Sequence, residues 1–415
     1  MKEDIRKIGI GFITGRKSFR HVLATYLNSW GDKILSVRDS VELSLFVAYD
    51  LEYNNTQDKD YTDISIELSE MLSSIHFINR ATIQAESLAL RKEGILSEHE
   101  AALFFEKGYA GKRNAILYSA AKQGMDAIMF LDDDEYPLAV QKENGAESWT
   151  GQEILSTHLA SIDQAHITCG HHCGYISTIP SIGFDESLPE QDFRVFIEAL
   201  SNDVVNWEDL RTLMQTGGIT YADPEVLSGP AVEVPQSGNT KFITGSNLCI
   251  NLQDLGALNP FYNPPAARGE DTFLSTCLAD NTVLRVPCYT FHDGFSAYAS
   301  LLKGVLPQRL HPITAGSKKV NARFYAACLG WVRYKPLLLY ITQRDGYEES
   351  VASMKRGLEK TLPLLCRYFD NPKFMKIADE LDKYSGNVEK HYRDFETTKA
   401  AWQKLVSYLG GRRGC

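Results

Sequence analysis

The sequence lacks any run of ~18 uninterrupted apolar residues, the length a helix needs to cross a bilayer, so no membrane span is expected. The opening stretch MKEDIRKIGIGF carries charges and then a strand-like run. It has no long apolar region of the kind found in a secretory leader. Cysteine is sparse and irregularly spaced: Cys169, Cys173, Cys249, Cys277, Cys288, Cys328, Cys366 and Cys415 in 415 residues imply no small disulfide scaffold. A reducing cytoplasm is the expected compartment, with a peripheral membrane contact left open. Positive charge is short as well. The net charge of −10 argues against non-specific nucleic-acid binding, which needs a basic face, but leaves room for a local basic pocket. Two nucleotide fingerprints are missing. Gly9, Gly11 and Gly15 do not fit G-x-G-x-x-G, because the third glycine comes one residue late, and Ala110-Gly111-Lys112 lacks the P-loop spacing.

What is present centres on residues 108–137, GYAGKRNAILYSAAKQGMDAIMFLDDDEYP. Gly108 and Gly111 mark turns, and Arg113 to Gln123 is composed mostly of good helix formers. Gly124 stops that helix, and Ala127 to Leu131 has the length of a buried parallel strand. Asp132, Asp133, Asp134 and Glu135 follow at the strand's carboxyl end, where open α/β sheets bind ligands. Adjacent carboxylates repel one another unless solvent or a cation screens them. A hard divalent ion carrying phosphate oxygens would do so. The plainer alternative is a solvated acidic turn.

Basic helix start, apolar strand and D-x-D, in this order and spacing, resemble the nucleotide-sugar half of GT-A glycosyltransferases, especially the large family 2. The matching residues are Lys112-Arg113-Asn114, then Ala127 to Phe130, then Leu131-Asp132-Asp133-Asp134. The resemblance implies an α/β, Rossmann-like core with a mostly parallel central sheet. It further implies a nucleotide diphosphate sugar donor, UDP- or GDP-linked, and Mn²⁺ or Mg²⁺ held by Asp132 and Asp134. Asp133, a third acid that departs from the family pattern, is grouped with the donor-binding residues.

Along the chain, Ile8 to Ile13 and Leu43 to Tyr49 read as strands around a helix from Ser18 to Trp30, an opening that favours a parallel sheet. By resemblance, Thr14, Gly15, Arg16 and Asp50 lie near the nucleotide; Asp50 is equally suited to a turn. Lys112 and Arg113 suit an anion at a helix start, or a solvated pair. Ile64 to Ile75 reads as helical, Ser97-Glu98-His99-Glu100 is a capping-box pattern, and Gln141 to Thr150 reads as a polar loop. Cys169, His171, His172 and Cys173 suggest metal ligands at first sight, but no second Cys/His pair stands at a usual zinc spacing, so burial beside a pocket is the expectation. Residues 183–236 read as a polar insertion able to cover the site.

Gly245, in FITGSNLCIN, permits close backbone approach, and the resemblance places it near donor or acceptor. Arg268-Gly269-Glu270-Asp271 resembles the family's acidic pair at the start of an acceptor-site helix, although helix capping alone explains acids there. The resemblance makes Asp271 the base that deprotonates the acceptor hydroxyl and Glu270 its orienting partner. His292 matches the family's closing histidine and a third metal ligand. The whole resemblance covers 8–295, with a donor half to about 165 and an acceptor half beyond it. Residues 296–415 form a helical extension, read as a packed subdomain, a homo-oligomer surface or an acceptor platform, ending in a disordered basic tail at 410–415. The expected activity is inverting glycosyl transfer to a glycan or small-molecule hydroxyl. The competing readings are a sugar nucleotidyltransferase and a non-catalytic carbohydrate- or partner-binding protein; an aspartyl-phosphate phosphatase is disfavoured because Tyr136 stands where Thr or Val belongs.

Overall fold

The computed structural model describes residues 5–37, 40–105, 108–200 and 207–413. The strands are β1 (Arg6–Thr14), β2 (Val41–Tyr49), β3 (Ser74–Ile78), β4 (Ala127–Asp132), β5 (Glu135–Tyr136), β6 (Leu138–Glu143), β7 (Ala146–Gly151), β8 (Ile167–Gly174), β9 (Val232–Glu233), β10 (Gln236–Ser237), β11 (Thr240–Lys241), β12 (Leu248–Asn251) and β13 (Val283–His292). The main sheet has the order β3-β2-β1-β4-β12-β8-β13-β5, with β9 beside β13. Helices make up about half of the chain.

The sheet is mixed, where a mostly parallel one was expected. β3, β2, β1 and β4 are parallel neighbours, as are β8 and β13, but β12 runs antiparallel to both β4 and β8. The cause is local. The turn at 245–247 delivers the chain to the carboxyl rim of β4, so β12 can only run back down the sheet.

Alternation along β1 sends Ile8, Ile10 and Phe12 into a core shared with Phe19, Val22, Leu23 and Tyr26 of the Phe19–Val37 helix. The opposite face of the sheet packs Phe46, Ile128 and Phe130 against Ile116 and Leu117 of the Tyr109–Lys122 helix, with Trp402 and Leu405 of the last helix. Gly9 and Gly11 serve this packing: a Cβ at Gly9 would lie 2.7 Å from Ile128 Cδ1, and one at Gly11 2.9 Å from Ile116 Cγ2. Their G-x-G spacing is therefore a matter of fit inside the sheet.

A third core joins the two ends of the second half. Phe193 and Phe196, on the Glu190–Leu200 helix, meet Phe324, Leu358, Leu362 and Phe374. The described part of 183–236 thus belongs largely to the C-terminal helical layer, and Val232–Glu233 joins the sheet edge. Its amphipathic helices need a partner, and the Tyr347–Tyr368 helix supplies one.

Several boundaries differ from expectation. The central helix begins at Tyr109, after Gly108 at φ +120°, so Lys112 and Arg113 lie at the end of its first turn. Residues 64–75 hold only a short helix, Ile66–Ser69, before β3. Residues 141–150 lie in a β6/β7 hairpin turned by Asn144 and Gly145, both at positive φ. The last helix continues to Arg413, which removes the tail expected at 410–413; Gly414 and Cys415 lie outside the described residues. The capping box at Ser97 and Glu100 forms, with both hydrogen bonds present.

Candidate active site

The topology gathers the chemistry-bearing residues on one rim. Ile13 pairs in register with Asp132 and Thr14 with Tyr49, so the ends of β1, β2 and β4 are level. Asp50 follows immediately. Leu248, the first residue of β12, lies beside Phe130, which puts Gly245, Ser246 and Asn247 at the same rim. β8 and β13 also end here, with His292 beside Gly174.

Beyond Asp132 the chain turns through Asp133 and Asp134 into β5, whose Glu135 pairs with His292. Thr14 Oγ1 donates to Asp133 Oδ2 at 2.6 Å. Arg16 Nη1 lies 2.7 Å from Asp134 Oδ2 and 3.5 Å from Asp133 Oδ1. His292 Nε2 lies 3.3 Å from Asp134 Oδ2. Burial works against the Asp134 anion, yet His292 and Arg16 hold its carboxyl well below the usual carboxylate range. His292 shows the reciprocal effect: burial disfavours its charge, but Asp134 and Glu135 push it up to about 9. Asp133 is raised by burial and by Asp134, against the pull of Arg16.

Glu135 faces inward and is fully satisfied. Ser246 Oγ donates to Oε1 at 2.6 Å, Thr290 Oγ1 donates to Oε2 at 2.8 Å, and His172 Nε2 lies 3.2 Å from Oε1. This carboxylate ties the acidic turn to the 245–247 turn, to β8 and to the end of β13. A buried polar network of this kind fixes geometry only because every member is paired.

Across the rim, Gly269 at φ +89° opens the Glu270–Ser275 helix. Buried Arg113 spans the two sides. Its Nε donates to Glu270 Oε1 at 3.1 Å, Nη1 donates to the Gly245 carbonyl, and Nη2 lies 3.5 Å from Asp132 Oδ1. Its guanidinium also lies 5.3 Å from the Phe130 ring centroid and 5.5 Å from that of Phe261. A Cβ at Gly245 would stand 2.7 Å from Arg113 Nη2, so this position requires glycine for the approach. The Gly245 N–H donates to Asp271 Oδ2 at 3.1 Å. Burial and the Glu270 carboxylate raise Asp271, against Arg113. Partial burial also raises Asp132, reinforced by Glu135, Asp134 and Asp133 and opposed by Arg113.

The donor set suits a divalent cation. The 3.3 Å between Asp134 Oδ2 and His292 Nε2 is close to the ~3 Å separating adjacent ligands of an octahedral ion with ~2.1 Å bonds. Carboxylate and imidazole suit Mn²⁺, and carboxylates with phosphate oxygens suit Mg²⁺. An ion there must displace Arg16 from Asp134 and the proton from His292. Asp132, with its side chain 33 % exposed, leans toward Arg113. Among the described residues, no three His, Cys, Asp or Glu side chains converge on one metal position.

The remaining sequence candidates divide. Lys112 Nζ pairs with Asp50 Oδ2 at 2.9 Å, so the two neutralise each other at the rim. Gly15 stands against the ring of Tyr53, which is 62 % exposed. Asn114 is fully buried and turned away from the rim: its Nδ2 donates to the carbonyls of Phe104 and Phe261, and its Oδ1 accepts from Phe261 N at 2.8 Å. It fastens the 261 loop to the helix. Sequence reasoning missed Ser246, Thr290 and the roles of Glu135 and His172. Strand parity would put Cys169 and Cys173 on one face, yet they lie in two different cores, and His172 turns to Glu135. His171 instead stacks on Tyr289, with ring centroids 5.0 Å apart. The seven described cysteines are free.

Two cavities, of about 220 and 360 Å³, lie elsewhere, one among the C-terminal helices around Tyr340 and Tyr392, the other beside β3 and Tyr118. Neither is lined by a rim carboxylate. We take the rim as the chemical site because charge, burial and convergence coincide there.

No protein-family model matches this sequence, and no curated protein matches it.

Proposed function

We propose that the chain is a metal-dependent glycosyltransferase of the GT-A type, moving a sugar from a UDP- or GDP-linked donor to an acceptor hydroxyl. The observation that carries this reading is the contrast between two of the rim's acids, Asp134 and Asp271. Asp134 is kept anionic beside His292, while Asp271 is raised on the opposite side, and Arg113 with Gly245 connects the two.

In this reading Asp134 and His292 would hold Mn²⁺ or Mg²⁺, with Asp132 as a third ligand once it turns from Arg113. The ion, when bound, supplies positive charge to the departing nucleotide diphosphate. Asp271 takes the proton of the acceptor hydroxyl. A carboxylate whose proton affinity is raised toward neutrality is a better base than an ordinary one, and each of its oxygens keeps a second lone pair after accepting from Gly245 N or Thr272 N. The hydroxyl oxygen then bonds to the anomeric carbon as the bond to the diphosphate oxygen breaks on the opposite face, which inverts the anomer. Glu270 and Arg113 fix the Gly245 turn and so orient Asp271. Thr14 and Arg16 hold Asp133 and Asp134 in place for the donor.

The test is release of nucleoside diphosphate from UDP- and GDP-sugars with Mn²⁺ present. Asp134→Ala and Asp271→Asn are each expected to lower turnover, the latter by about 10²–10⁴-fold; Asp271→Asn keeps the melting temperature, and Asp134→Ala, which leaves Arg16 and His292 without their partner, is assayed at a temperature where it is folded. Wild-type turnover in both variants would remove the assignment.

A further inference from the structure

The C-terminal extension does not stand apart from the rim: one face of its Lys318–Thr342 helix forms a wall of it. Lys319, Arg323, Gly330 and Tyr334 stand at helical spacings that share a face. Lys319 Nζ donates to the Phe295 carbonyl, and the Arg323 guanidinium lies 5.1 Å from the Phe295 ring centroid. Arg323 also stands beside the metal-side histidine: a Cβ built on Gly294 would meet His292 Cε1 at 2.8 Å and Arg323 Nη2 at 3.1 Å. Further along the helix, a Cβ on Gly330 would meet Arg268 Cδ at 3.1 Å, so the stem of Arg268 lies on that glycine. A Cβ on Gly269 would meet the Tyr334 ring at 3.2 Å. The helix therefore carries one arginine and supports another, two turns or roughly 10 Å apart along its axis.

These arginines differ from the other guanidiniums of the site. Arg16 is paired with Asp134, and Arg113 with Glu270. Arg323 Nε is buried and has no hydrogen-bond partner among the described residues. Arg268 is exposed and makes no ion pair among them. Asp134 attracts Arg323, while Arg16 and Arg268 repel it, so the three cations share one neighbourhood in which the ion-paired carboxylates, Asp134 and Asp133, belong to Arg16. A buried guanidinium N–H without a partner, as at Arg323 Nε, is costly unless a ligand completes it.

We propose that Arg323 and Arg268 form an anion subsite for a phosphate group carried by the acceptor. Two guanidiniums match a phosphate ester, whose charge near neutral pH is about −1.5 to −2, better than a single carboxylate, and planar forks bind phosphate oxygens in pairs. Arg268 leads into the Glu270–Ser275 helix that carries Asp271, so in this proposal a phosphate held by the arginines brings its own molecule's hydroxyl to the base. The class of reaction that supplies this substrate is one that leaves a phosphate ester beside a free hydroxyl. The word acceptor rests on the transferase reading; the anion subsite itself does not.

The test is calorimetric titration of the full chain with inorganic phosphate, once in chelator without nucleotide and once in Mn²⁺ with saturating UDP or GDP. Wild type is expected to bind phosphate equally well in both conditions. Arg323→Gln and Arg268→Gln are each expected to weaken binding at least about tenfold, the ~1.4 kcal/mol of one charge-assisted bond; Arg323→Lys is expected to restore part of it, and melting temperatures report that the variants fold. Phosphate binding that is absent in wild type, or unchanged in both Gln variants, overturns the subsite. Mutual exclusion of phosphate and the nucleoside diphosphate overturns the acceptor assignment, placing the arginines on the donor diphosphate. Arginine-dependent phosphate binding with no nucleoside diphosphate binding supports the subsite and removes the transferase reading.

Discussion

Asp134 and Asp271 reach the same rim from distant parts of the chain, and their surroundings drive them in opposite directions. Both lose solvent, which alone would raise both. Around Asp134 two cations, Arg16 and His292, outweigh that loss. Around Asp271 the strongest charge effect comes from another carboxylate, Glu270, and the compensating Arg113 is already bonded to Glu270 and to the Gly245 carbonyl. Asp132 and Asp133, beside Asp134, are raised as Asp271 is, so Asp134 alone of these four is held as a fixed anion. The lesson is that the count of acids says little; the ownership of the nearby cations decides which acid does what.

The strongest way to break this arrangement is to remove the cation that joins the two sides. Arg113→Met leaves Glu270 buried without its partner and frees the Gly245 carbonyl. A loss of about 3–5 kcal/mol in urea-unfolding stability is expected, the usual result of stripping one member from a buried ion pair. A loss below about 1 kcal/mol would mean that the two sides are not coupled through this residue.

The Asp134 side is sharpened by pH. A histidine raised to about 9 contributes stability that is fully present below its unfolded value of ~6.5 and is lost as pH rises through about 9. In chelator, the stability difference between wild type and His292→Gln is therefore expected to be on the order of 3 kcal/mol at pH 6 and to vanish by about pH 10. A difference independent of pH would contradict the pairing. The smallest expected effect is at the hinge between the sides: Gly245→Ala places a methyl against Arg113 and is expected to cost about 1–3 kcal/mol.

The sequence made the individual parts of this comparison visible and hid their coupling. β1, β2, β4 and the acidic run were readable because each is a local pattern of apolar residues and turn signals. Gly245, Asp271 and His292 were singled out by resemblance, and all three stand at the rim. Strand direction was not readable, because alternation is the same for a parallel and an antiparallel neighbour, and so β12 was not anticipated as the antiparallel member. The 138–151 hairpin was readable from Asn144-Gly145 and was passed over because its strands are polar. Arg323 and His172 were out of reach of local reasoning: their importance arises only when the Lys318–Thr342 helix and β8 are brought to the rim. Asn114 illustrates the converse, a residue inside the most suggestive motif whose polar atoms are spent on loop Phe261 and on Phe104.

The measurement that bears most directly on the central claim is thermal stabilisation of wild type and Asp134→Ala by UDP, GDP and their sugar conjugates, with Mn²⁺ and with chelator. A ligand that binds only the folded state raises the melting temperature according to its concentration over its dissociation constant. The account predicts a shift for one nucleotide that needs Mn²⁺, strengthens as pH rises toward the value at which His292 releases its proton, and is lost in Asp134→Ala. A shift of equal size in chelator or in Asp134→Ala, or no shift with any of these ligands, would contradict it.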